Sequence, residues 1–100
     1  MQSYYPESFE RDMSCTEVEW LAWLPKAMGD HEWQQSGQTV HVHLQGGGHL
    51  HIEWRHLPPR TIALMRLPRM GIAFRFEEAS EESRMHFMRR FDLTTQRGGG

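Results

Sequence analysis

Apolar and polar residues alternate in two short runs, Val40–Leu44 and Leu50–Trp54, and Gly46, Gly47 and Gly48 lie between them. Alternation at a period of two marks a strand with one buried face, so the stretch predicts a β-hairpin. With the glycines as the loop, Leu44 stands opposite Leu50, Val42 opposite Ile52 and Val40 opposite Trp54. The other face then sets His43 against His51, His41 against Glu53 and Gln45 against His49. A slip of one residue would mix the two sets, so burial specifies which side chains share a face.

Upstream the pattern changes. Met1 to Met13 has Tyr4, Tyr5, Pro6 and Phe9 among polar residues without a period, and reads as an irregular arm. Ser14 with Glu17, and Thr16 with Glu19, both fit a capping box, which satisfies free amides at a helix start. Val18, Trp20, Leu21, Trp23 and Leu24 supply a broad apolar stripe, and Gly29 is the expected stop. Pro25 removes a donor and disfavours helix at Leu24, which predicts a kink or break there. A short strand is expected around Glu32 to Gln35.

Downstream, the paired prolines of HLPP read as a stiff connection, after which Arg60 opens a new strand. Ala63, Met65 and Leu67 form one apolar set, and Ile72, Phe74 and Phe76 continue it beyond a turn at Pro68-Arg69-Met70-Gly71. From Arg84 to Thr94 two periods compete. Met85, Met88 and Phe91 fit a helix with Ser80 as its cap. Met85, Phe87, Phe91 and Leu93 fit a strand that leaves Met88 and Arg89 as misfits. The strand is preferred because it also aligns Phe76 with Met85 and Phe74 with Phe87.

These elements predict an α+β fold, with one N-terminal helix, kinked or broken near Pro25, on one face of an antiparallel meander of about five strands. The arm spans residues 1–13, the domain 14–96, and a flexible glycine-rich tail 97–100. The tail, Arg97 followed by Gly98, Gly99 and Gly100, resembles that of ubiquitin-like and sulfur-carrier proteins. The resemblance covers the tail alone, and the chain lacks the hairpin with which those families begin.

Length and composition narrow the function classes. One hundred residues support a single core. A net charge of −2 argues against a general nucleic-acid binder, which needs a basic field. The lone cysteine, Cys15, cannot form an internal disulfide and has no neighbouring base, so no catalytic cysteine is expected. No apolar run is long enough to span a bilayer, so a soluble cytoplasmic protein without a membrane partner is expected. Four tryptophans and seven methionines are read as core filling.

Two chemistries are then written on the open face of the sheet. His41, His43, His49, His51 and Glu53 project together from adjoining strands, and imidazole with carboxylate is a ligand set suited to zinc. Arg66, Arg75, Arg84, Arg90 and His86 would supply guanidinium forks and an imidazole for a phosphate or carboxylate, although Glu77, Glu78, Glu81 and Glu82 lie near enough to neutralise them. The expected function is a non-enzymatic binding or adaptor module that presents this face to an anionic ligand or an acidic protein surface. Metal binding through the histidines is the alternative, and homodimerisation through the same face is the third.

Overall fold

The central strands of the sheet bury alternate residues, and the helices cover the face on which those residues lie. The computed structural model describes residues 4–97 and contains β1 (Ser8–Met13), α1 (Glu17–Met28), β2 (Glu32–Ser36), β3 (Thr39–His43), β4 (His49–Ile62), β5 (Met65–Glu77) and α2 (Glu81–Arg97). The glycines at 98–100, and with them most of the expected flexible tail, lie outside the described residues. The sheet order is β1-β5-β4-β3-β2 and every pairing is antiparallel. The fold is α+β with an open sheet, as expected, but it has two helices rather than one.

The second helix occupies the stretch expected to be a strand. Arg84, Phe87, Met88, Phe91 and Thr95 are the buried residues of α2, and their spacing of three, four, seven and eleven is helical. Met88 and Arg89, the misfits of a period of two, fit this period. Ser80 starts the helix, its Oγ accepting from Ser83 N–H at 3.1 Å and its carbonyl from Arg84 N–H at 2.9 Å. The edge beside β5 is taken instead by β1, so the expected irregular arm is partly a strand. Phe9, not Phe87, pairs with Phe74, and their rings stack at 4.8 Å.

The first helix begins as expected. Thr16 Oγ1 accepts from Glu19 N–H at 3.1 Å and Glu19 Oε1 accepts from Thr16 N–H at 2.9 Å, which completes the capping box. Pro25 neither breaks α1 nor ends it. The carbonyl it deprives of a donor is that of Leu21, four residues back, and both residues are exposed, so water can satisfy that group. Gly29 closes the helix with a φ of 59°, and a Cβ there would stand 2.7 Å from Arg90 Nε, the group that donates to the Lys26 carbonyl.

In the first hairpin the faces are as expected but the register is slid by two residues. Val40 faces Ile52, Val42 faces Leu50, His41 faces His51 and His43 faces His49. The loop takes in Leu44, whose N–H donates to the Gly48 carbonyl at 3.0 Å while its carbonyl accepts from Gly47 N–H at 3.0 Å. Gly47 and Gly48 have φ of 100° and 89°, and a Cβ on Gly48 would lie 2.5 Å from the Glu78 carbonyl oxygen. A slide of two keeps every side chain on its own face.

The second hairpin is longer than expected. β4 runs through the prolines and β5 runs through Pro68 to Gly71, so the turn falls at Ala63 and Leu64. This register stacks Trp54 on Ile72, Ile52 on Phe74 and Leu50 on Phe76, all on the helix side. The ladder shifts between Leu57 and Arg60. Pro58 and Pro59 sit in that irregularity, opposite Pro68, where no ladder donor is required.

The core lies between the helices and this sheet face. Trp20 packs edge-on against Trp54 and Phe91 at 5.5 and 5.8 Å, and Phe91 against Phe74 at 5.2 Å. Arg84 is buried among these elements with its charge directed at main-chain oxygens: Nε donates to the Tyr5 carbonyl and Nη1 to that of Ala79, each at 2.8 Å.

Candidate metal centre on the open face

The strand pairings line up polar side chains in rows across the uncovered face. One row runs Ser8, Arg75, His51, His41, Gln34, and the next Glu77, His49, His43, Glu32. Two directly opposed histidine pairs therefore stand side by side at the loop end of β3 and β4. Sheet twist shortens one diagonal of such a quartet, and here it is His41 to His49, whose Nε2 and Nδ1 are 3.0 Å apart. His43 stands over the same point, so that one ring nitrogen from each of His41, His43 and His49 lies within 4.8 Å of the other two.

His51 is placed differently. Its ring stacks on that of His41 at 4.8 Å and 4°, and its Nε2 meets Glu77 Oε1 at 2.9 Å. The same carboxylate oxygen accepts from Arg75, and Glu77 is held below the usual carboxylate range chiefly by that guanidinium. Glu53 shares the face but sits between Thr39 and Ala73. Of the five expected ligands the fold gathers His41, His43 and His49, sets His51 beside them, and leaves Glu53 outside the cluster.

His41 is held below the ordinary imidazole pKa, first by burial and then by His43, His51 and His49, while Glu77 opposes the shift. A neutral ring is the form that ligates a metal. The 3.0 Å contact between His41 and His49 requires one ring to donate and the other to accept. It therefore holds one proton between the two nitrogens.

The expected anion-binding set is not brought together. Arg75 lies on the open face next to His51. Arg66 is near the tip of the second hairpin, opposite Thr61. Arg84, His86 and Arg90 all lie on α2, on the covered side of the sheet, with Arg84 buried. The reason is the period of residues 84–94: a helix there carries these side chains away from the face a strand would have given them. Three arginines on the open face meet carboxylates, Arg55 with Glu10 at 3.1 Å, Arg69 with Asp12, and Arg75 with Glu77.

Glu77, expected only as a charge that neutralises the arginines, does pair with Arg75, and it also meets His51, which the sequence reading does not foresee. It alternates with Arg75, which is a visible signal, but its place beside His51 depends on the long β4–β5 register. A further histidine, His31, is fixed elsewhere: its Nδ1 accepts from Gln45 N–H at 3.0 Å, and burial, then His86 and Arg90, hold it below the ordinary imidazole pKa. A groove of about 460 Å³ between β1 and α2 is lined by Met13, Met85 and Leu93 around Arg11 and Asp92. Those two polar groups are already paired with each other and with Tyr5. Burial pushes the Cys15 thiol up to about 11, the opposite of a reactive cysteine. Compared with known proteins, the chain matches no family model, no curated protein and no solved structure.

Proposed function

We propose that this protein is a metal-binding module that holds a divalent ion of the zinc class through His41, His43 and His49. The observation that carries the reading is the convergence of three ring nitrogens, one from each residue, within 4.8 Å of one another on two adjoining strands. Zinc–nitrogen bonds are about 2.0–2.1 Å long, so modest ring rotations draw the three nitrogens onto one ion. Three protein nitrogens leave a fourth tetrahedral position open to water or to a donor from a partner. The stack of His51 on His41, anchored by Glu77 and Arg75, restrains the His41 ring from outside the ligand set. The anionic-ligand reading has less support, because Arg55, Arg69 and Arg75 already face carboxylates.

Calorimetric titration of the untagged protein with zinc chloride at neutral pH tests this. One equivalent should bind, and His43→Ala should weaken binding by more than about a hundredfold, beyond the usual effect of removing an outer partner. His86→Ala should bind as the parent does. Equal heats for all three proteins would overturn the proposal.

A further inference from the structure

At the end of β4 far from His49 and His51, the sheet thins to two strands. β1 ends its pairing at Met13 with Met70, and β3 ends its own at Thr39 with Glu53. From Leu57 to Arg69 the strands β4 and β5 therefore pair in the sheet only with each other. With strands of 14 and 13 residues, this hairpin sets the long dimension of the molecule, 46 Å against 29 and 21 Å.

The tip of this arm is apolar and bare. Leu64 is 103 % exposed, Met65 61 % and Ile62 54 %. Directly behind them, on the next rungs and one on each strand, stand Arg60 and Arg66, both exposed. The arm, residues 57–69, contains three arginines and no Asp or Glu, which leaves eight basic against thirteen acidic residues in the rest of the chain. The molecule is thus polarised, with a basic arm on an acidic body.

We propose that the arm is a docking element for an anionic membrane surface. Ile62, Leu64 and Met65 would enter the boundary of the acyl layer while Arg60 and Arg66 lie at the lipid phosphates. The order of groups carries the argument: an apolar tip followed by a cationic collar matches the order of layers in a bilayer, acyl chains inside and phosphates outside. A nucleic acid presents its phosphates outermost and would meet the apolar tip first. Strand addition to a second copy is opposed by Pro58, Pro59 and Pro68, which remove donors from both edges of the arm. The acidic body is repelled by the same surface, which orients the arm end-on. The absence of a long apolar helix among the described residues concerns spanning, not surface docking.

The test is co-sedimentation of the full chain with phosphatidylcholine vesicles and with mixed phosphatidylcholine–phosphatidylserine vesicles, with vesicle-free controls. The parent should partition onto the anionic vesicles and little onto the neutral ones, and added salt should weaken it. Leu64→Asp, and separately Arg60→Gln with Arg66→Gln, should each weaken partition by about tenfold or more. Because these side chains are exposed, circular dichroism should show the variants folded as the parent is. Failure of the parent to bind anionic vesicles, or equal binding by Leu64→Asp, would overturn the proposal. So would tip-dependent binding to duplex DNA or tip-dependent dimerisation without lipid.

Discussion

The two faces of the sheet are made by the same strands and obey opposite rules. On the helix side Val40, Val42, Leu50, Ile52, Trp54, Ile72, Phe74 and Phe76 are all buried, and the buried guanidinium of Arg84 is bonded to two carbonyls. On the open side Arg55, Arg69 and Arg75 have carboxylate partners, and His51 has Glu77. His41, His43 and His49 instead gather against one another. Close packing of like, titratable rings opposes their protonation, since charged imidazoles side by side repel. The covered face is accounted for by stability, and the open face carries the cluster on which the proposed metal binding rests.

The largest effect that would sharpen this contrast is on the covered side. Phe91→Ala empties the junction of Trp20, Phe74 and Phe87 and should lower unfolding free energy by about 3–5 kcal/mol. His43→Ala on the open side should change it by less than about 0.5 kcal/mol. Urea denaturation of both variants measures the difference. Comparable losses would make the histidine face structural.

A smaller effect belongs to the loop that joins the histidine strands. Gly48→Ala forces a side chain onto a φ of 89° and to within 2.5 Å of the Glu78 carbonyl oxygen, where main chain cannot give way cheaply. It should cost about 1–3 kcal/mol. Gly37→Ala, at a positive φ with nothing near its Cβ, should cost less. A thermal unfolding pair decides it, and equal shifts would remove the close approach of Gly48 as the cause.

The smallest effect is a pH dependence. His31 and His41 both have folded pKa values below the ordinary imidazole value, so the unfolded chain takes up protons first as pH falls. Their contribution to stability is therefore complete above about pH 6.5 and is lost as pH drops from there through the folded values. Denaturation midpoints measured from pH 7.5 to 5 should fall, and less so in His31→Gln. A midpoint that rises on acidification would contradict the assigned directions.

How much was legible in the sequence follows from period and register. Parity alone separates Val42 and Ile52 from His43 and His51, and a slide of two residues preserves parity, so the faces were readable although the partners were not. The slid register comes with a close approach of Gly48 to Glu78, a tertiary contact that hairpin symmetry does not contain. Residues 84–94 were misread because Met85, Phe87, Phe91 and Leu93 satisfy a period of two, whereas burial follows Phe87, Met88 and Phe91. That one period moved Arg84, His86 and Arg90 off the histidine face. Pro58, Pro59 and Pro68 read as interruptions one by one. Only their alignment opposite each other shows that a single ladder can pass them, and with it Glu77 reaches His51.

X-ray absorption at the zinc edge of the zinc-loaded protein decides whether the proposed ion is held by three imidazoles. A first shell containing three imidazole nitrogens at about 2.0–2.1 Å is expected, with the imidazole outer-shell pattern reduced to two rings in His43→Ala. A first shell of oxygen alone, or an imidazole pattern unchanged by His43→Ala, would contradict the proposal.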